Sequence, residues 1–237
     1  GVSGVHEVAD LWRCHFEQLY NTIDVANCKQ FFNDKIAGLM QHCDSVNISV
    51  MNVVEAVKAQ KRGKAAGADL LTSECFLFGT MRLFTLLSLL FSACLKCSHL
   101  PAELMQCVIV PLVKNKCGDL SDINNYRAIA LSTPVSKIFE RVLMQYVMTD
   151  DNIDMCQFGF KQGHSTSMCA NVLKSVIDHY TSLRSHVFTC FVDFTKAFDR
   201  VNYWKLFNGL LDDGVNAFVN MLAYWYSHQD VVVKWLM

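Results

Sequence analysis

Residues 188–202 read Phe-Thr-Cys-Phe-Val-Asp-Phe-Thr-Lys-Ala-Phe-Asp-Arg-Val-Asn, and no other stretch limits the fold as strongly. Phe188 to Val192 is apolar, aromatic and β-branched, the composition of a buried strand, and it stops at a carboxylate, Asp193. Thr195, Lys196 and Asp199 then lead into an amphipathic run, so the expected order is strand, sharp turn, helix. That order puts Asp193 at the carboxyl edge of a sheet, hydrated and within reach of a metal ion, with Phe198 beside it. Two other readings share the pattern. Asp193 can simply cap the turn of a core strand. It can also be the nucleophile of a phosphohydrolase, but that chemistry wants a second Asp two residues on, where this chain has Thr195.

The chain has 237 residues, 52% of them hydrophobic, enough for one large domain or two small ones. Its net charge of −1 lacks the positive excess common in nucleic-acid-binding domains, so any basic surface must be local. The 11 cysteines are odd in number, scattered and preceded by no signal-peptide pattern, which fits a reducing intracellular compartment better than a disulfide framework. Cys94 and Cys97 have no second pair at zinc-site spacing and read as two helix thiols. The ends at Gly1 and Met237 read as cut points of a longer chain.

Residues 1–45 show helical periodicity through Val8, Leu11, Trp12, His15, Phe16 and Leu19, then Phe32, Ile36, Leu39 and Met40. Ser49 is a candidate N-cap for a helix with Val50, Val53, Val54 and Val57 inward. Lys58, Lys61, Arg62 and Lys64 follow: either cations matched to a helix C-terminus or a basic edge facing phosphates. Cys75 to Leu95 holds one charge, Arg82. A polar stripe through Thr85, Ser88, Ser92 and Lys96 marks it as a buried helix and not a membrane span.

Cys107 to Val113 and Tyr126 to Leu131 are strand-like, joined by the polar segment Asn115 to Asn125, and Pro111 places the first near an edge or bulge. An antiparallel pairing brings Lys114 and Arg127 to one end of the hairpin. Two cations there are either solvated separately or share an anion such as a triphosphate. Thr133 and Pro134 open a helix carrying Val135, Ile138, Phe139, Val142, Leu143 and Tyr146. Asp150, Asp151 and Asp154 form an acidic loop without metal-site spacing. Gln157-Phe158-Gly159-Phe160-Lys161-Gln162-Gly163-His164-Ser165-Thr166 reads as a tight turn before a capped helix, a place able to accept a phosphate. Helices are expected again at Val201 to Leu211 and Phe218 to Tyr226, then a strand from Val231.

Three of these blocks resemble, in order, motifs of reverse transcriptases of LINE-type (non-LTR) retrotransposons. Val-Ile-Val-Pro-Leu-Val-Lys, Asn-Tyr-Arg-Ala-Ile-Ala-Leu and Ser-Lys-Ile-Phe-Glu-Arg together are similar to the fingers motif. Gln-Phe-Gly-Phe-Lys-Gln-Gly-His-Ser-Thr resembles the motif that follows, and Phe-Val-Asp-Phe-Thr-Lys-Ala-Phe-Asp the first palm motif. The segment from Lys58 to Glu74 is similar to the opening of the fingers. Ala128 stands where the family usually has proline, which loosens the backbone after Arg127, and Lys161 replaces a commoner arginine.

The resemblance implies an α+β fold, the fingers and first half of the palm of a right-hand polymerase, with a helix-rich N-terminal part. It divides the chain into a helical extension over 1–48, a fingers-like region over 49–186 and the start of the palm over 187–237. The implied reaction is RNA-directed DNA synthesis with two Mg²⁺ (or Mn²⁺) ions, an RNA template, a DNA primer and dNTP. Asp193 is the implied catalytic residue and metal ligand, assisted by the Phe194 carbonyl. Lys114, Arg127, Phe194 and Phe198 are implied at the nucleotide, with Phe198 excluding a ribose 2′ hydroxyl. Gln157, Gly159, Phe160 and Lys161 are implied to touch template or nucleotide. The family's Asp-Asp hairpin and thumb are not in this sequence, so the chain alone is expected to be inactive. The alternatives are a catalytically dead remnant that binds RNA or a partner, and an unrelated α/β binding module. No membrane is implied, and the implied location is nucleus and cytoplasm.

Overall fold

Hydrophobic periodicity sets the first half of the chain. The computed structural model describes residues 4–21, 25–39, 46–147, 154–161 and 163–235. Met40, Asp150, Asp151 and Gln162 lie outside them. Two compact units are present, a larger one of residues 1–145 with 197–237 and a smaller one of 146–196.

In the larger unit, helix α1 (Val5–Tyr20) buries Trp12, Phe16 and Leu19 at helical spacing. They pack against Ile109, Tyr126 and Ala128, so the helix lies on one face of a sheet. Helix α2 (Ala26–Leu39) inserts Phe32 among Phe207, Leu211, Val219 and Ala223. Asn208 donates to the Cys28 carbonyl at 3.0 Å, and Lys35 pairs with Asp212 at 2.5 Å.

Helix α3 (Val50–Lys58) starts at a reciprocal capping box: the Ser49 hydroxyl accepts from the Asn52 N–H, and the Asn52 side chain accepts from the Ser49 N–H. The expected single helix over Cys75 to Leu95 is instead two, α4 (Ser73–Leu77) and α5 (Met81–Cys97). The break falls at Gly79, where a Cβ would lie 2.8 Å from Leu83 Cδ2 and 2.9 Å from the Phe76 carbonyl. The middle of the polar stripe of α5, Ser88 and Ser92, faces protein, while Thr85 and Lys96 are exposed. Ser88 Oγ donates to the Ile48 carbonyl at 2.6 Å, and the Ile48 N–H donates to Ser92 Oγ at 3.0 Å. Leu86 and Leu89 are among the exposed residues of that helix. Among the described residues no helix is long and apolar enough to cross a membrane.

The sheet has three strands in the order β2-β1-β3. Strands β1 (Gln106–Val113) and β2 (Tyr126–Ser132) are antiparallel, pairing Cys107 with Ser132 and Leu112 with Arg127. Strand β3 (Asp230–Val233) runs parallel to β1 from Gln106 to Ile109 only. The Ile109 carbonyl accepts from the Lys234 N–H, so the β3 side of β1 is open beyond that point, at Pro111. A residue without an N–H thus sits where no ladder bond is missed.

Helix α6 (Pro134–Val147) is capped by Thr133, whose hydroxyl accepts from the Ser136 N–H at 3.2 Å. Phe139 is fully buried, stacked between Phe91 (4.6 Å) and Trp225 (5.9 Å). Helices α8 (Tyr203–Asp212) and α9 (Val219–His228) complete this unit, α8 capped by Asn202.

The smaller unit holds helix α7 (Thr166–Ser182), capped by Ser165 and without a buried residue. Its Val172, Val176 and Tyr180 are exposed. The expected strand over Phe188 to Val192 does not form. Residues 185–194 have no regular structure, and Phe188 and Phe191 are 95% and 81% exposed. An apolar run becomes a strand only when a neighbour takes its backbone hydrogen bonds, and among the described residues none pairs with it.

Candidate functional site

The β1–β2 hairpin carries Lys114 and Arg127. Pairing of Leu112 with Arg127 puts both cations on one face at the loop end, since Lys114 follows Leu112 by two positions. The Lys114 N–H donates to the Asn125 carbonyl at 2.7 Å, and its Nζ donates to the Asn124 carbonyl at 2.8 Å. The loop is ordered by its own polar groups. Asn125 Nδ2 donates to the carbonyls of Asn115 and Asp119, both at 3.0 Å, and Tyr126 Oη donates to the Leu120 carbonyl at 2.9 Å. Asp119 accepts from the hydroxyl and the N–H of Ser121, which holds its carboxyl below the usual range. Ala128 lies opposite Pro111 within the ladder and against α1, so strand pairing fixes the backbone after Arg127 in place of proline.

Phe198 begins a single 3-10 turn, Phe198–Arg200, and is exposed. The neighbouring Asp199 lies close to Tyr20 and Tyr203. Burial first, and then the Asp199 charge, pushes the Tyr20 phenol up to about 12 and raises that of Tyr203.

In the smaller unit, Asp193 and Phe194 are exposed and sit on the irregular segment, so Asp193 ends no strand. Gln157 Nε2 donates to the Gly159 carbonyl at 3.0 Å, closing the turn. Phe160 has a left-handed backbone (φ 59°), as does Gly163 (φ 74°). The Phe158 and His164 rings lie 5.8 Å apart, and the His164 N–H donates to the Lys161 carbonyl at 3.2 Å. Among the described residues no group of three or more His, Cys, Asp or Glu could hold a metal ion.

One residue was not singled out by spacing. Lys137, in the first turn of α6, lines a cleft together with Lys61 and Lys64. Its sequence neighbours carry no sign of this, because the three lysines converge only through the packing of the loop after α3 on the end of β2.

The order of these segments can be compared with known proteins. The probable RNA-directed DNA polymerase from transposon BS of Drosophila melanogaster is 27% identical over 202 residues, 82% of this chain. The chain is thus similar to an RNA-directed DNA polymerase of a transposon over most of its length. The RNA-directed DNA polymerase from mobile element jockey of Drosophila funebris is 25% identical over 158 residues, 65% of this chain. A putative 115 kDa protein in a type-1 retrotransposable element of Drosophila melanogaster is 32% identical over 150 residues, or 62%. The chain spans 22%, 17% and 14% of the length of these three relatives. No family model matches it.

Proposed function

We propose that the chain supplies the fingers and the start of the palm of a right-hand polymerase that copies RNA into DNA. The observation that carries this reading is the similarity to an RNA-directed DNA polymerase over 82% of the chain. In this reading residues 1–48 are a helical extension, 49–186 the fingers-like region and 187–237 the start of the palm. The partners are an RNA template, a DNA primer and dNTP, and the setting is intracellular, in nucleus and cytoplasm.

Each residue then has a task that its chemistry suits. Lys114 and Arg127, on one face of the hairpin, neutralise the triphosphate of the incoming nucleotide. Phe198 presents an aromatic wall that a ribose 2′ hydroxyl would strike, selecting deoxynucleotides. The Gln157 to Lys161 turn, ahead of the α7 N-terminus, guides template or nucleotide. Polymerase chemistry of this kind uses two divalent ions, Mg²⁺ or Mn²⁺. The residues present do not fit that pair by themselves: Asp193 is one carboxylate, and the described residues hold no ligand cluster. Asp193, with the Phe194 carbonyl, is therefore proposed as part of a ligand set completed by the remainder of the polymerase, and the chain alone is expected not to incorporate dNTP.

The test is primer extension on an RNA template by a polypeptide that continues from this chain to the length of its relatives. Activity that Asp193→Asn abolishes supports the reading. A folded parent that binds RNA and extends no primer would replace it with a binding role.

A further inference from the structure

We propose that Lys61, Lys64 and Lys137 form a phosphate site that holds the sugar-phosphate backbone of a single nucleic-acid strand, apart from the hairpin cations. The cleft has a volume of about 450 Å³ and lies between the end of α3, the end of β2 and the start of α6. Lys61, Lys64 and Lys137 line it together with Gln60, Ser73 and Leu131, and no acidic residue does. None of the three lysines is in an ion pair among the described residues, where the pairs belong to Arg13 and Lys35. Glu140, one turn on from Lys137, has its carboxyl raised by burial and lowered in part by the Lys137 charge, and it does not line the cleft. Three cations converging without an anion repel one another, and a phosphate between them removes that repulsion.

The structure also sorts this basic run, which sequence alone leaves undivided. Lys58 belongs to the last turn of α3, where the helix dipole accounts for it. Arg62 is turned onto the Phe78 ring at 5.2 Å, and the Gly63 N–H donates to Glu74 Oε1 at 2.7 Å. Lys61 and Lys64 lie beyond the helix and have no such internal task. The helix-end carbonyls that could oppose an anion are in use: Gln60 donates through its N–H to Val57 at 2.9 Å and through its side chain to Ala56 at 3.4 Å. The loop that carries Lys61 and Lys64 is held beside Leu131 of the lining, because Gly67 lies against the backbone of Ser132.

The chemistry of the lining selects a backbone over a base. No aromatic ring lines the cleft, so nothing there stacks on a nucleobase. Lysines act as flexible point charges that follow a phosphate chain without reading it. The inference rests on the polymerase reading for the identity of the anion, while the cleft itself does not.

The experiment titrates the full chain with a fluorescein-labelled oligouridylate, by anisotropy at a series of salt concentrations. The variant combines Lys61→Gln, Lys64→Gln and Lys137→Gln. Affinity at low salt should fall about tenfold or more, and the salt slope should shrink by about 2, from roughly 0.7 per phosphate contact on a single strand. The triple Lys→Arg variant should restore both, and Lys58→Gln should change neither. A combined Gln variant that is folded by circular dichroism yet keeps the parental slope overturns the proposal. So does displacement of the strand by dNTP at the cleft, accompanied by loss of dNTP binding in the combined variant, since the anion would then be a nucleotide. Normal strand binding with no primer extension by the longer polypeptide would sink the polymerase reading while leaving this site standing.

Discussion

Gly67 and Ser132 touch backbone to backbone: a Cβ built on Gly67 would lie 2.8 Å from the Ser132 carbonyl oxygen and 2.9 Å from the Thr133 nitrogen. Both obstacles are main chain at the junction of β2 and α6, and neither can rotate away. Gly67→Ala should therefore destabilise the chain by about 1–3 kcal/mol, the usual penalty for overpacking. Urea unfolding measures it, and a neutral result would show that the loop can lift off the strand. Gly38→Ala, with open space around its Cβ position, is the matched control.

Ser88 and Ser92 of α5 both bond Ile48, Ser92 accepting from its N–H and Ser88 donating to its carbonyl. Ser88 is buried, so Ser88→Ala would strand the Ile48 carbonyl away from water, at a cost of about 1–3 kcal/mol. Arg82→Ala, at the exposed start of the same polar stripe, should change stability by less than about 0.5 kcal/mol. Equal effects from the two substitutions would mean that the stripe is not a docking seam.

Alkaline pH should loosen the packing of α1. The Tyr20 phenol is pushed from 10.0 to about 12 by burial first and by the Asp199 charge second. A raised phenol favours the neutral form in the folded state. Its contribution is complete below about pH 10 and is lost as pH rises toward about 12, because the unfolded chain ionises first. Stability against urea should fall over that window, and Tyr20→Phe should flatten the fall. Tyrosinate absorbance would follow the titration directly.

For the longer polypeptide, Lys114→Ala or Arg127→Ala should raise the dNTP concentration needed for half-maximal extension by roughly tenfold or more, as for loss of a charge-assisted contact worth about 1.5–3 kcal/mol. Template affinity should stay nearly unchanged. Phe198→Ala should leave dNTP use intact and admit ribonucleotides, measured by incorporation ratios. If both cation variants lose template affinity instead, the hairpin face grips the strand and not the nucleotide.

What was legible in advance was whatever the chain decides locally. Ser49 and Thr133 act as helix caps where the sequence placed them, and of the two candidates Ser165 and Thr166 it is Ser165 that caps α7, because a cap needs only its own next three residues. The hairpin was legible for the same reason: Lys114 and Arg127 are brought together by one connection. The break at Gly79 was not, since it depends on how Leu83 and Phe76 fill the space a Cβ would need. Nor was the fate of Phe188 to Val192. Its composition satisfies a strand, but strand formation is decided by a partner far away in sequence. Lys137 was missed for the converse reason, being unremarkable in its helix and significant only beside Lys61 and Lys64.

Trp12 stacks on Trp235 at 6.0 Å, and β3 joins β1 in parallel across more than a hundred intervening residues. Parallel pairing at such separation forms slowly, and it cannot begin before Asp230 to Val233 exist. During synthesis at about 5–20 residues per second, α1 can gain its cover from β1 and β2 first, but Trp12 waits on the order of ten seconds or more for Trp235. Part of the aromatic face of α1 therefore stays open until the far end of the sheet has been made.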